Sequence, residues 1–176
     1  MEFEKLVKDR RSIRAYKDEK VKKKDIEKII KTTLLAPSWK NSETGRYYVA
    51  LSKEAKEFVY NALPDFNKKA SLNASYIIAT YKKDMSGVGY GDKFTDNLKN
   101  SWGAYDLGLQ NSYLILKAKE LGYDTLIMGL RDEKALRKYF NIPKDEIMMP
   151  VIAIGKKNIK AKLNKRKEVK EVLHTY

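Results

Sequence analysis

Apolar residues recur every three or four positions in five stretches of the chain, which is the spacing of one face of a helix. The predicted helices span residues 2–9, 25–35, 53–63, 101–122 and 131–140. Asp25 is the predicted N-cap of the second helix, because its carboxylate can accept a hydrogen bond from a free backbone N–H. Pro37 lies just beyond the end of that helix and cannot continue it.

Four shorter apolar stretches are rich in β-branched and aromatic residues, a composition that favours strands. They span residues 45–52, 75–81, 123–129 and 146–155, and a glycine-rich loop is predicted at 85–97. Residues 164–176 form a basic tail with a weak helical pattern. No repeat or linker divides the chain, so we expect a single domain over residues 1–176, of the α+β class around one sheet.

The predicted helix 101–122 is apolar on more than one side. One face carries Trp102, Tyr105, Leu109, Tyr113 and Leu116, and another carries Leu107, Leu114, Ala118 and Leu121. A helix of this kind must be covered on more than one side. In a chain of 176 residues, a second subunit is a natural cover. Trp102 and Tyr105 are large aromatic residues, which we expect in the core rather than in a pocket.

The net charge of +14, from 37 basic and 23 acidic residues, favours anionic partners. Such partners are nucleic acid, a membrane surface or a phosphorylated small molecule. Most lysines alternate with acidic residues, as in KDEKVKKKDIEK, which favours a solvated face over a nucleic-acid surface. The N-terminus lacks an apolar signal core, and no uncharged stretch is long enough to span a bilayer. We therefore expect a cytoplasmic protein that binds neither membrane nor nucleic acid.

Side chains able to carry difficult chemistry unaided are scarce. The chain has no cysteine, which excludes disulfides, thiolate nucleophiles and cysteine-ligated metals. Its one histidine, His174, lies near the end of the basic tail, where nothing would orient it as a catalytic base. The stretch GVGYGD has Asp92 where a dinucleotide-binding motif needs its third glycine. An enzyme with this sequence would therefore depend on a bound cofactor.

Three arginines surround a hydroxyl near the start of the chain, in the stretch RRSIR. They are Arg10, Arg11 and Arg14, and the hydroxyl belongs to Ser12. Guanidinium groups pair two-to-two with phosphate oxygens and keep their charge, so this cluster suits a terminal monophosphate. The alternative is a solvated basic turn with salt bridges to Asp9 or Asp18, an arrangement common on protein surfaces.

A second stretch, APSWKN, follows a predicted helix and leads into a strand. Pro37 and Ser38 favour a turn with exposed backbone amides. Asn41 offers both a donor and an acceptor, as the edge of a planar heterocycle requires. Ordinary turn chemistry is the alternative interpretation.

Four stretches, in this order and spacing, resemble the FMN-dependent nitroreductase family. They are RRSIRAY, APSWKN, YDLGLQNSYLILKAKELGYDTLIMG and NIPKDEIMMPVIAIGK, and the resemblance runs from residue 9 to about residue 170. It implies an α+β fold with a central, mostly antiparallel sheet flanked by helices. It also implies a homodimer in which helix 101–122 lies centrally at the interface and two FMN molecules lie between the subunits.

The resemblance also implies roles for individual residues. Holding the FMN phosphate and ribityl chain, and reaching the ring edge, is the role implied for Arg10, Arg11, Ser12 and Arg14. Pro37, Ser38 and Asn41 match the turn that meets the flavin of the neighbouring subunit, and Asn67 matches an asparagine near the pyrimidine edge. Ile127, Met128 and Gly129 match the segment against the ring and its N5 atom. Lys165 and Arg166 match the basic pair that closes over the phosphate, unless they belong to a solvated tail.

The implied activity is hydride transfer from NADH or NADPH to flavin N5, followed by two-electron reduction of a nitroaromatic, quinone or similar small acceptor in ping-pong turnover. The flavin carries the chemistry, so no catalytic side chain and no metal is expected. Many relatives have a glutamine where this chain has Glu43, which leaves the acceptor open. A flavin-binding carrier or sensor is an alternative, and a basic nucleic-acid-binding module is a more distant one.

Overall fold

A computed structural model describes residues 2–176, in which one sheet of four strands forms the centre. The strands are β1 (Gly45–Ala50), β2 (Ser75–Lys82), β3 (Asp124–Met128) and β4 (Glu146–Gly155). Their spatial order is β1-β2-β4-β3, and every neighbouring pair is antiparallel. The predicted α+β class and antiparallel sheet are therefore confirmed.

Six α-helices flank the sheet: α1 (Phe3–Asp9), α2 (Lys23–Thr33), α3 (Lys53–Asn61), α4 (Asp65–Ser71), α5 (Ser101–Glu120) and α6 (Glu133–Tyr139). Short 3₁₀ turns occupy Trp39–Asn41, Tyr90–Asp92 and Val169–Glu171. The sequence did not predict α4, because its stretch DFNKKAS is short and polar. The weak helical pattern of the basic tail corresponds only to the last of the 3₁₀ turns.

The predicted N-cap of α2 is wrong. The helix begins two residues earlier, after Lys22, and Asp25 lies in its first turn. The carboxylate of Asp25 accepts a hydrogen bond of 2.9 Å from the hydroxyl of Tyr123 and pairs with Lys28 at 3.4 Å. The hydrogen bond from Tyr123 lowers the pKa of Asp25. Asp25 therefore ties α2 to the start of β3, which sequence spacing alone does not reveal.

Core side chains lie on both faces of the sheet, so β2 is buried throughout nearly its whole length. Alternate residues of a strand point to opposite faces. Tyr76 and Ile78 accordingly pack in one cluster with Leu136 of α6. Ile77 packs in a second cluster with Leu114 of α5. Helix α5 thus covers one face of the sheet, and α3 and α6 contribute to the core on the other face.

An irregularity in the pairing of β2 with β4 shapes the sheet next to α5. The register shifts so that Ile78 pairs with Val151 while Thr80 pairs with Met148. Met149 and Pro150 occupy the extra length on β4. Proline has no N–H to donate to the ladder and is tolerated within a sheet at such bulges. The bulge places Met149 and Pro150 beside α5, where they line a cavity described below.

The face of α5 that carries Tyr105 and Tyr113 is partly open in this chain. Leu107, Leu114 and Ala118 are buried, whereas Tyr105 is 59% exposed and Tyr113 is 39% exposed. The expectation that Tyr105 belongs to the core is therefore wrong, because its ring points away from the sheet side of the helix. Trp102 is only half-buried. An exposed aromatic face on the longest helix agrees with a second subunit as its cover, and that pairing stays a prediction.

We expect the same substitution to have opposite effects at two glycines of α5. A Cβ at Gly103 would lie 2.4 Å from the ring of the buried Tyr81, whereas a Cβ at Gly108 would meet nothing within 4 Å. Gly103→Ala should lower the free energy of unfolding by about 1–3 kcal/mol through overpacking. Gly108→Ala should raise it by about 0.5–1 kcal/mol by removing backbone freedom from a helix interior. Urea unfolding of the FMN-free protein measures both, and equal effects would contradict the close contact with Tyr81.

Candidate functional site

The N-terminal segment lies along the free edge of β3. The backbone N–H of Ile13 donates to the carbonyl of Thr125 at 3.0 Å, and Ser12 forms a parallel bridge with Thr125. Ile13 is almost fully buried in the core. This anchor leaves the neighbouring residues Arg10, Arg11 and Arg14 at the surface beside the sheet edge. The arginines of the stretch RRSIR are therefore held in place by the pairing of Ser12 and Ile13 with β3, and do not belong to a free N-terminal tail.

A basic cavity of about 420 Å³ lies at this end of β3. Its wall brings together residues from both ends of the chain, including Arg10, Arg11, Ser12, Arg14, Lys160, Lys162 and Arg166. The sequence placed Arg166 with the N-terminal arginines, and the structure brings them together. Lys165, the other member of the predicted basic pair, does not line this cavity. The contributions of Lys160 and Lys162 were not predicted, because their basic stretch has no distinguishing pattern.

The cations of the basic cavity lack carboxylate partners. Across residues 2–176, no ion pair includes Arg10, Arg11, Arg14 or Arg166. The alternative partner Asp9 instead pairs with Lys5 at 2.8 Å. Burial lowers the pKa of Arg10, and the charges of Arg11 and Arg166 lower it further. A cluster of mutually repelling cations in a concave site favours the binding of an anion.

An apolar cavity of about 360 Å³ lies between α5, the end of β3 and the bulge of β4. Its apolar lining includes Leu107, Ile115, Ile127, Met149 and Pro150. Gly129, just after β3, also lines it. The side chain of Ile127 is 49% exposed, whereas Leu126 and Met128 on either side are buried. Of the predicted segment 127–129, therefore, Ile127 and Gly129 face this cavity and Met128 packs in the core.

The basic and apolar cavities lie toward opposite ends of β3. Ser12, in the wall of the basic cavity, pairs with Thr125, and Gly129 lines the apolar cavity. At about 3.3 Å per residue, Ile127, which also lines the apolar cavity, is about 7 Å along the strand from Thr125, and Gly129, just after the strand, is about 13 Å from it. The arrangement suits a ligand with an anionic group at one end and a flat apolar ring at the other.

The apolar cavity also has two polar side chains that the sequence analysis did not single out. Asn111 on α5 is 6% exposed, and its Oδ1 has no hydrogen-bond partner. Arg131, after β3, has no acceptor for its buried Nε–H, although its other nitrogens donate to the carbonyls of Gly129 and Met148. In the sequence, Asn111 is distinguished only as a polar residue within a helix that is predicted to be apolar on more than one side. Arg131 follows the segment 127–129 but carries no motif of its own.

The predicted turn at residues 37–41 lines a third cavity, of about 280 Å³, together with Trp39, Trp102 and Tyr105. Pro37 and Ser38 are part of its wall, and Asn41 lies in the 3₁₀ turn with a left-handed backbone. The rings of Trp39 and Trp102 are in contact, with centroids 4.9 Å apart. The turn therefore carries an aromatic surface, and none of its residues lines the basic or the apolar cavity of the same chain.

A buried carboxylate on α5 holds this turn in place. Asp106, which is 2% exposed, accepts hydrogen bonds from the backbone N–H of Trp39 at 3.0 Å and from the hydroxyl of Ser86 at 2.7 Å. The Ser86 hydroxyl also lies 3.1 Å from that of Ser42. Asp106 thus joins the turn, the loop after β2 and helix α5. No pattern in the sequence singles out Asp106, because its partners lie far away along the chain.

The predicted pyrimidine-edge residue Asn67 has a different environment. It lies in the unpredicted helix α4, is buried, and donates to the carbonyl of Leu130 at 3.4 Å. It lines neither the basic nor the apolar cavity. Its observed contact supports the backbone that follows Gly129, so Asn67 braces the end of β3.

Two structural features are absent from residues 2–176. No group of three or more histidine, cysteine, aspartate or glutamate side chains could hold a metal ion. None of the helices combines the length and the apolar character that crossing a membrane requires.

The fold agrees with comparisons to known proteins. The chain is 29% identical over 161 residues to a candidate NADH dehydrogenase/NAD(P)H nitroreductase from Archaeoglobus fulgidus, covering 86% of this chain and 83% of that protein. A crystal structure of a nitroreductase family protein from Clostridium novyi matches 90% of this chain and 86% of its own, with 25% identity and a TM-score of 0.76.

A second crystal structure, of a candidate nitroreductase in complex with FMN from Exiguobacterium sibiricum, has the same fold. It is 24% identical, with a TM-score of 0.84, and the match covers 100% of this chain and 98% of that one. The sequence model of the nitroreductase family matches residues 7–156, which include all four strands and all the helices except the start of α1. The chain therefore belongs to the nitroreductase family.

Proposed function

We propose that this chain is an FMN-dependent oxidoreductase that passes two electrons from NADH or NADPH to a small acceptor, such as a nitroaromatic or a quinone. The observation that carries the proposal is the pair of cavities along β3. One is basic and has unpaired arginines, and the other is apolar and extends from about 7 to about 13 Å further along the chain. The names of the similar proteins, which include NAD(P)H nitroreductase and a complex with FMN, support the same cofactor and electron donor.

The residues of the basic cavity would hold the FMN phosphate. Arg10, Arg14 and Arg166 offer forked donors that match phosphate oxygens, and the Ser12 hydroxyl adds a further hydrogen bond. Because these guanidiniums have no carboxylate partners, an anion would not need to displace an existing ion pair. Buried phosphate is costly unless it is paired, and the convergence of cations from both ends of the chain offsets that cost.

The apolar cavity would take the ring system. Ile127, Met149 and Pro150 offer a surface without charge, which excludes water from one side of a bound flavin. When bound, FMN supplies the redox chemistry, in which a hydride from NAD(P)H is taken up at N5 and two electrons then pass to an acceptor in a ping-pong sequence. The chain's own part is to bind, orient and shield the cofactor, so no side chain is assigned as an acid, base or nucleophile.

We further propose that the active form is a homodimer. Tyr105 and Tyr113 form an exposed aromatic face on α5, and burying such a face against a second copy is favourable. The third cavity, at the turn that contains Pro37 and Ser38, lies on the same side as Tyr105 and Leu109 of α5. Pairing through α5 would carry this aromatic turn toward the partner's apolar cavity, where an acceptor would bind.

The purified protein is expected to be yellow, or to become yellow on addition of FMN, with the absorption bands of oxidised flavin. Anaerobic addition of NADH or NADPH should bleach these bands, and a quinone or nitroaromatic should restore them. Absorption spectroscopy of the FMN-loaded protein measures both steps. A protein that neither contains nor takes up FMN would overturn the proposal. Bleaching without multiple turnovers would instead identify a flavin carrier or sensor.

A further inference from the structure

The apolar cavity contains one unusual feature, which is a pair of unsatisfied polar atoms in an otherwise apolar wall. Asn111 Oδ1 and Arg131 Nε are the two buried side-chain polar atoms of residues 2–176 that have no hydrogen-bond partner. Both residues line this same cavity. A buried polar group without a partner costs about 1–3 kcal/mol, so most such groups in folded proteins are satisfied.

The remaining polar residue of the wall does not share this property. The Ser112 hydroxyl donates to the carbonyl of Gly108 at 3.0 Å and is therefore satisfied within the helix. Arg131 is the one ionisable residue that lines the cavity. Its charge is only partly offset by Glu133, which lies 3.2 Å from it and is half-exposed. A ligand in this cavity thus meets a single cation and a single free amide.

The chemistry of the two free atoms specifies the ligand that would satisfy them. Arg131 Nε–H needs an acceptor, and Asn111 Oδ1 needs a donor. The terminal torsion of an asparagine is soft, so its amide can turn toward a bound group. A flat apolar ring whose rim carries both C=O and N–H groups supplies the two complementary atoms and fills the apolar space between them.

We propose that Arg131 and Asn111 are positioning residues for the ring of the flavin, a proposal that rests on the proposed function. Their free atoms hydrogen-bond its polar rim, and the guanidinium charge makes the bound ring easier to reduce. The charge acts in this way because reduced flavin is more negative than oxidised flavin, and a nearby cation in an apolar site stabilises the negative form.

Asn111→Leu separates this role from a structural one. Replacing an unsatisfied buried amide with an apolar group of similar size leaves the FMN-free protein as stable as before or more stable. The same change should weaken FMN binding several-fold, because the donor at the ring rim loses its acceptor. A residue that served only the fold would show the opposite result, with lower stability and unchanged binding.

Arg131→Met removes the charge, and Arg137→Met is its matched control. Both arginines pair with Glu133 and donate to backbone carbonyls of β4, those of Met148 and Glu146 respectively, but Arg137 does not line the apolar cavity. We expect Arg131→Met to weaken FMN binding about tenfold. It should also move the midpoint potential of bound FMN to more negative values. Arg137→Met should change neither quantity, although both variants lose stability.

Fluorescence titration with FMN gives the affinity, and anaerobic spectroelectrochemistry of the loaded protein gives the potential. Arg131→Lys serves as a second variant, since it keeps the positive charge while removing the Nε–H. In Arg131→Lys the midpoint potential of bound FMN should stay close to that of the wild type, whereas the affinity for FMN should fall in part. Equal affinity and potential in wild type, Asn111→Leu and Arg131→Met would overturn this inference while leaving the proposed function intact. Absence of FMN binding by the wild type would overturn the proposed function itself, and this inference with it.

Discussion

Replacing both Arg10 and Arg14 with alanine is expected to lower FMN affinity by about a hundredfold or more, with little loss of stability in the FMN-free protein. Each arginine can give the phosphate charge-assisted hydrogen bonds, and bonds of this kind contribute about 1.5–3 kcal/mol each. Without FMN the same side chains have no carboxylate partner, and the pKa of Arg10 is lowered by burial and by neighbouring cations. Removing them therefore relieves repulsion rather than breaking an ion pair.

Two measurements test this expectation. Fluorescence titration gives the dissociation constant of FMN, and urea unfolding without FMN should change by less than about 1 kcal/mol, the usual size of a surface charge effect. Arg166→Ala and Lys165→Ala form a matched pair at the other end of the chain, because only Arg166 lines the basic cavity. We expect the first to weaken binding and the second to have little effect. A parallel loss of stability and affinity in the double variant would support structural salt bridges instead.

Asp106→Leu is expected to lower the free energy of unfolding by about 2–4 kcal/mol, because the backbone N–H of Trp39 loses its acceptor and the hydroxyl of Ser86 keeps only longer contacts with neighbouring hydroxyls. In the wild type both groups donate to the same oxygen, Oδ2. Asp106→Asn keeps one oxygen that can accept both bonds. The free energy of unfolding of Asp106→Asn should therefore fall by no more than about 1 kcal/mol, which is the usual contribution of a neutral hydrogen bond.

Fluorescence gives this experiment a local probe. The chain has two tryptophans, Trp39 and Trp102, and their rings are in contact at this turn. In Asp106→Leu the tryptophan signal should change at lower urea than the far-UV circular dichroism, since the turn detaches before the sheet unfolds. Two-state unfolding instead gives coincident transitions. Coincident transitions together with wild-type stability would contradict the role assigned to Asp106.

Long periodic stretches made much of the fold predictable from the sequence. Helix α5 and strand β2 were placed within one or two residues, because each has a strong pattern of its own. Helix α4 was missed, since a short polar stretch gains its helical state from the burial of Asn67 and Ser71 against the rest of the domain. The cap of α2 was misplaced, because Asp25 accepts a hydrogen bond from Tyr123, a residue distant in sequence.

Some residues of the candidate site were likewise predictable from the sequence, and others were not. The arginine cluster was visible because several like charges are adjacent in sequence, and Ile127 and Gly129 were visible through the family resemblance. Asp106, Asn111 and Arg131 were not visible, since each is a lone polar residue whose importance depends on what surrounds it in three dimensions. Burial distinguishes Asp106 and Asn111 from ordinary surface polar residues, and a missing hydrogen-bond partner distinguishes Asn111 and Arg131. Only coordinates supply these properties.

The meeting of Arg10 and Arg166 in one cavity has a consequence for limited proteolysis. Residues 157–176 are exposed and follow the last strand, so a cut there leaves all four strands in one piece. A cut before Arg166 would separate it from the N-terminal arginines and weaken the proposed hold on FMN, and bound FMN should in turn slow that cleavage.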